Sequence, residues 1–333
     1  MTGGLPAFET DWVEAQVARV WGLAARAEPL VGWADANFLL VTDDADRRVL
    51  KISPPDTRRE TLENQASMLL HLAAGELSEL VPRVVPAADG RVIARMEAPG
   101  GEPRWTRLLT YLEGRRLVEL DRRPSRLLAE IGRTLATLDL ELTSFDHPAT
   151  PRSHEWDVMT VPDLARLARH IDDPGRRALV ENHLDRFTSV VLPLRKELEH
   201  GVIHADANDH NLLVTFDDED PRLSGIIDFS DLLASPIVAD LAISLAYLML
   251  DRDDPVSDAV HLIRGYHEVR ALTGLERRLL PDLVTARICS SLLHAAHGLA
   301  RDPDNAYLQI SAAPMWRLLE GVNTTDGERF SRA

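Results

Sequence analysis

Three short apolar runs, Val202-Ile203, Leu212-Leu213-Val214 and Leu223 to Ile227, are set apart by polar segments within residues 202–230. Runs of that length bounded by turn residues read as strands, and Asp217-Asp-Glu-Asp-Pro221 reads as the hairpin turn between the last two. The polar residues His204-Ala-Asp206-Ala-Asn-Asp-His210-Asn211, and Asp228-Phe229-Ser230 after the third run, therefore stand at strand ends.

The spacing of those residues has a chemical meaning. Asn211 follows Asp206 by five positions, and a second acid, Asp228, arrives next to Phe229. In metal-dependent phosphoryl transfer the first acid orients the attacking hydroxyl and accepts its proton, while the amide and the later acid hold the metal ions that neutralise the transferring group. Asp206, with His204 beside it, is accordingly the catalytic candidate, and Asn211 and Asp228 are the candidate Mg²⁺ ligands. An isolated D-x-x-x-x-N is commonly a turn whose side chains bond nearby backbone; the flanking strands separate this case from that one. A hydrolase centre built on His204, Asp206, His210 and Asp228 suits zinc or manganese chemistry, but leaves Asn211 without a role. A nucleotide-binding module without catalysis leaves the base without one.

The segment resembles the H-G-D-x-x-x-x-N and I-D-F signatures of the aminoglycoside phosphotransferase and choline kinase superfamily, whose fold is similar to that of protein kinases. Ala205 stands at the usual Gly of the first signature, and Ser230 at the Gly of the protein-kinase D-F-G. The H-R-D order is absent, which favours a small-molecule acceptor. The resemblance implies an α+β, bilobal protein-kinase-like fold, with a small antiparallel-sheet N-lobe and a larger mainly helical C-lobe. It also implies Mg²⁺ with ATP or GTP as co-substrate. Asp240 is either a helix N-cap or, by the resemblance, an anchor for the catalytic loop.

Upstream, Arg48-Val-Leu-Lys51-Ile52 reads as a strand with its lysine near the end, one of the chain's two lysines. Such a lysine meets nucleotide phosphates in kinases. Residues 57–72 have helical periodicity and carry Glu63, the chosen ion-pair partner of Lys51, with Glu60 as the alternative. The stretch Val31 to Phe38 holds one glycine, Gly32, and no G-x-G-x-x-G; Asn37 supplies a candidate side-chain donor there. Thr106 to Leu112 reads as an extended hinge broken by Glu113-Gly114, with Leu109, Thr110 and Tyr111 as the candidate nucleobase-facing residues.

The expected organisation is an N-terminal nucleotide lobe over 1–112, a helical catalytic and substrate lobe over 113–322, and a loose tail over 323–333. A helix is expected over 11–27, capped by Asp11 and Glu14 and buried through Trp12, Val13, Val17, Val20 and Trp21. Strands follow within 28–53, near 83–86 and 91–96. Helices are expected at 125–143, 176–199, 236–250, 256–272, 276–299 and 304–320. The formal charge of −16 argues against nucleic acid or anionic membrane as partner. One cysteine, Cys289, excludes an internal disulfide and suits a reducing compartment. With neither a signal sequence nor eighteen uninterrupted apolar residues, a cytoplasmic location is expected.

The partner expected is a small hydroxylated amine. Segments Phe145 to Ala149, His154 to Val158, Leu108 to Gly114 and Ile227 to Pro236 look like the hydroxylysine kinase branch. Asp157, Asp209 and Asp231 are candidates for an ammonium, Trp156 for a cation face, and Arg115 and Arg152 for a carboxylate. Aminoglycoside, choline or ethanolamine, and homoserine-type acceptors are the alternatives.

Overall fold

The computed structural model describes residues 8–330 other than 31, 33, 34, 99, 100, 152, 304, 305 and 322–329; the expected tail and Arg152 therefore fall essentially outside it. The chain divides into two compact units, one reaching to Glu113 with His147–Ala149, the other made of Gly114–Asp146 and Thr150 onward. The first is built on an antiparallel sheet and the second is mainly helical, the make-up of a protein-kinase-like α+β fold.

In the first unit the leading helix α1 (Thr10–Trp21) stops well short of residue 27. Gly22 takes a left-handed conformation (φ 65) and its N–H returns to Ala18 O at 3.0 Å, a helix stop that a residue without Cβ makes cheaply. The following segment pairs as strand β1 (Ala25–Leu30). Glu14 does not cap the helix; its Oε1 accepts the Ala27 N–H at 2.9 Å and ties α1 to β1. Strands β2 (Ala36–Thr42) and β3 (Arg47–Ile52) precede helix α2 (Arg59–Leu72), and β4 (Val84–Val85), β5 (Ala94–Glu97) and β6 (Pro103–Thr110) complete the sheet. The order is β1-β2-β3-β6-β4, with β5 also on β6. Alternation puts Phe38, Leu40, Leu50, Ile52 and Leu108 on the face that covers Val13 and Val17, with Trp12, Val20 and Trp21 at its margin. Lys51 is then fixed by register opposite Asn37 on one side and Arg107 on the other.

The second unit opens with β7 (Arg115–Arg116) and helix α3 (Ser125–Leu142). A run of 3₁₀ turns over Val158–His170 is new relative to the sequence expectation. The single helix expected at 176–199 is α4 (Pro174–Arg186), continued by a π turn at Phe187–Val191 and a 3₁₀ turn at Leu192–Glu197, where Pro193 lacks the N–H an α-helix needs. Strands β8 (His200–Ile203), β9 (Leu212–Asp217), β10 (Asp220–Ile226) and β11 (Leu233–Pro236) surround the motif. The β9/β10 turn has positive φ at Asp218 and Glu219, as a twist-matched two-residue hairpin requires. Helices α5 (Val238–Leu248), α6 (Pro255–Val269), α7 (Gly274–Arg301) and α8 (Ala306–Gly321) lie close to the ranges read from periodicity.

Helices α3 and α6 touch through their backbones. A Cβ on Gly132 would stand 2.1 Å from Leu262 O, and one on Gly265 would stand 2.1 Å from Ala129 O. This approach lets the buried Tyr266 hydroxyl donate to Asp139 across the crossing.

Candidate active site

The loop leaving β8 is held from below. Asp240, fully buried in the first turn of α5, accepts the His204 N–H at 3.3 Å and the Ala205 N–H at 2.8 Å, so it anchors the loop. Ala205 has φ 65, a left-handed conformation that costs a non-glycine residue about 1–2 kcal/mol. Ala205→Gly should therefore stabilise the fold by up to about 1 kcal/mol, less the greater entropy of glycine in the unfolded chain, with turnover unchanged. Chemical denaturation checks this; a less stable variant would contradict it.

His204 is buried with both ring nitrogens engaged. Nδ1 accepts the Asp206 N–H at 3.2 Å, Nε2 pairs with Ile227 O at 3.1 Å, and the ring packs 4.5 Å from that of Phe229. The expected catalytic histidine is thus a positioning residue that ties the loop to the β10 end. It has no ring nitrogen left to bind zinc, and no group of three or more His, Cys, Asp or Glu able to hold a metal occurs among the described residues.

The Asp206 carboxylate receives donors on both oxygens. Oδ2 accepts from Asn211 Nδ2 at 2.8 Å, and Oδ1 accepts from Asn208 Nδ2 at 3.0 Å and Arg287 Nη2 at 3.2 Å. Burial pushes its pKa up to about 7; the charges of Asp231 and Asp228 add to the rise, and Arg287 and Asn208 oppose it. Asn211 Nδ2 also donates to Asp206 O at 2.9 Å. With the amide nitrogen committed, Oδ1 is the end of Asn211 left to face a cation. Asp228 is exposed and left-handed (φ 61), and accepts the Ser230 hydroxyl. An amide oxygen and a carboxylate, both hard oxygen donors, suit Mg²⁺, which takes its other ligands from phosphates and water.

Arg287 escaped the sequence reading. It lies on α7, is 2% exposed, and donates to Trp156 O at 3.0 Å as well as to Asp206. A basic residue inside the apolar run Leu283 to Ile288 was the available signal.

Several residues expected to meet the acceptor have partners within the chain. Asp157 is buried and caps the 3₁₀ run: Oδ1 accepts the Met159 N–H at 3.0 Å and the Ser235 hydroxyl at 2.9 Å. Asp209 is buried in an ion pair with Arg123 at 2.8 Å. Arg115, over half exposed, donates to Glu119 O at 3.0 Å. The Trp156 ring is occupied by His294 at 4.2 Å and by the Arg287 guanidinium at 5.1 Å. Asp231 is half-buried beside the motif, and its carboxyl is raised by burial and by Asp228.

In the first unit Glu63, expected beside Lys51, pairs with Arg59 one turn back at 2.8 Å, and Glu60 pairs with Arg58 at 3.5 Å. The buried positions of α2 are Leu62, Asn64, Gln65, Ala66, Met68, Leu69 and Leu72, and Glu63 is half-exposed between them. The acid found near the lysine is Asp35, 3.7 Å from Lys51 Nζ and 2.8 Å from Arg107 Nη2, with all three side chains largely buried. Arg107 also donates to Gln65. Asn37 closes on the preceding loop, where a Cβ on Gly32 would lie 2.3 Å from its Nδ2. At the expected hinge, Leu109 pairs with Val49 and Val84, and the N–H groups of Thr110 and Tyr111 donate to Arg83 O (2.8 Å) and Arg47 O (3.4 Å).

Residues 27–279 match the model of the phosphotransferase enzyme family. The hydroxylysine kinase of Bos taurus is 31% identical, over 95% of this chain and 89% of its own. The homoserine kinase of Rhodospirillum rubrum is 28% identical, over 84% of this chain and 82% of its own. Among solved structures, a microcompartment-associated aminopropanol kinase superposes with a TM-score of 0.74 at 22% identity, covering 96% of this chain and 99% of that one. An amicoumacin kinase in complex with AMP-PNP, Ca²⁺ and Ami gives 0.71 at 14% identity, over 94% and 93%. These two show likeness of fold. Among the described residues no helix is long and apolar enough to cross a membrane.

Proposed function

The chain belongs to the phosphotransferase enzyme family, and on that premise we propose that it transfers the γ-phosphoryl group of ATP or GTP to a hydroxyl of a small amine-bearing acceptor, 5-hydroxylysine or a similar hydroxylated amino acid. The observation that carries this reading is the Asp206–Asn211 pair, in which the Asn211 amide nitrogen donates to both the backbone oxygen and Oδ2 of Asp206 and leaves its own oxygen to face a cation. Asp206 takes the proton of the acceptor hydroxyl as that oxygen attacks phosphorus. Asn211 and Asp228 would hold Mg²⁺, which when bound supplies charge neutralisation at the phosphoryl oxygens. Lys51, steadied by Asp35 rather than Glu63, meets the nucleotide phosphates, and the segment Leu109 to Tyr111 flanks the base, its N–H groups at 110 and 111 being taken by Arg83 O and Arg47 O. Asp231 is the acid proposed to take the acceptor ammonium. The acceptor identity is supported by the relatives at 31% identity, which are hydroxylysine kinases.

The test is a phosphorylation screen of hydroxylated amino acids, amino alcohols and aminoglycosides with both nucleotides and with Mg²⁺ varied. A hydroxylated amino acid is expected to give the highest kcat/KM. An aminoglycoside surpassing it would overturn the acceptor and leave the catalytic roles standing.

A further inference from the structure

A buried arginine is costly unless its charge is neutralised and its N–H groups are bonded. Arg287 finds its charge partner in the loop after β8, at Asp206, while its Nε has no hydrogen-bond partner among the described residues. Its guanidinium lies between the rings of Trp156 (5.1 Å) and Tyr247 (5.4 Å). Both rings are themselves fixed, Trp156 by His294 at 4.2 Å and Tyr247 by its hydroxyl, 3.1 Å from Ser291 Oγ. The Trp156 carbonyl takes Nη1, and the Asp206 carboxylate takes Nη2. A planar fork wedged between two aromatic faces has little freedom to turn.

The consequence lies at Asp206. Asn211 holds Oδ2 and Asn208 holds Oδ1 from the loop itself, while Arg287 reaches Oδ1 from a helix 81 residues further along the chain. The torsion of the carboxylate is thereby set from both oxygens, by two elements independent of each other. The lone pair of Oδ2 not used by Asn211 is left with one direction, the place for an acceptor hydroxyl.

We infer that Arg287 is a positioning residue for the reaction, fixing the orientation of the Asp206 carboxylate through Oδ1; the inference rests on the reading of Asp206 as base. It needs no contact between Arg287 and either substrate. Its effect is therefore expected in kcat and not in nucleotide KM.

The experiment is a double-mutant cycle on the full chain with Arg287→Met, Arg287→Lys, Asp206→Asn and the Arg287→Met/Asp206→Asn double variant, measuring kcat, both KM values and thermal midpoint. Arg287→Met is expected to lower kcat about 10²-fold, the effect of a misplaced reacting group, with nucleotide KM within about twofold on the same argument. Arg287→Lys, which keeps the charge without the planar fork, is expected to recover part of that loss. Once Asp206 is Asn, removing Arg287 should cost little more, because residues acting as a unit are non-additive. Losses that multiply in the double variant, or a loss in Arg287→Met that follows nucleotide affinity and thermal midpoint, would overturn the inference. Near-normal turnover in Asp206→Asn would instead overturn the base assignment beneath it.

Discussion

Asp206→Asn is expected to lower turnover by about 10²–10⁴-fold, the range for losing a positioned general base, while nucleotide affinity changes little. The substitution keeps the size of the side chain. One amide oxygen still accepts from Asn208 and Arg287, as Oδ1 does now. The new NH₂ group faces the Asn211 amide, which donates to Oδ2 in the native loop. Two donors face to face push Asn211 aside, so a modest weakening of Mg²⁺ dependence is part of the expected phenotype. Nucleotide affinity, assigned to Lys51 and the hinge, is expected to stay near its native value. Steady-state kinetics with nucleotide titration by fluorescence or calorimetry checks both halves. A folded variant with near-native kcat would remove Asp206 from the chemistry.

The second large effect belongs to Asp240. Asp240→Ala leaves the buried His204 and Ala205 N–H groups without an acceptor, at about 1–3 kcal/mol for each, and releases the left-handed Ala205 from its support. Loss of several kcal/mol of stability together with most of the turnover is expected. Asp139 makes this site sensitive to pH. It is fully buried and accepts the Tyr266 hydroxyl on Oδ2, while its Oδ1 has no hydrogen-bond partner among the described residues. Burial and then the Asp240 charge hold its carboxyl well above the usual range, against Tyr266 and Arg270 on α6. Asp240 is raised by burial too, but His204 and the two backbone donors favour its charged form. Of the two carboxyls, Asp139 is therefore the one whose surroundings favour the protonated form.

The sign of the pH effect follows. An unfolded Asp ionises near about 3.9, whereas native Asp139 keeps its proton to higher pH, so folding takes up a proton. The stability this group contributes is complete below the unfolded pKa and is lost as pH rises through the folded value. Asp139→Asn keeps the size of the side chain and an oxygen to accept from Tyr266, without titrating. Urea denaturation from about pH 5 to about pH 9 should show the variant gaining on the native chain as pH rises. A gap that stays constant across that range would mean Asp139 is already ionised in the fold.

The motif was legible because its parts are local. Asp206, Asn211, the hairpin and Asp228 are recognisable from spacing, and strand alternation was enough to place Lys51. What was missed depends on contacts between distant positions. Glu63 was chosen because it lies on the helix after Lys51, but Arg59 at i−4 captures it. Asp35 reaches Lys51 and Arg107 from a loop without periodicity. Asp157 and Asp209 were expected to meet an acceptor ammonium, and their partners Ser235 and Arg123 stand 78 and 86 residues away. The expected helix ran to residue 27, over the first three residues of β1, and the left-handed Gly22 is what ends it.

The α3–α6 crossing has an evolutionary consequence. With carbonyl oxygens where the Cβ atoms of residues 132 and 265 would be, the two positions cannot drift separately. A relative that acquires alanine at either one must spread the helices, and Tyr266 then no longer reaches Asp139. Sequences that lose a glycine here should lose the tyrosine in the same lineage, and residue 139 should cease to be acidic where the crossing has opened.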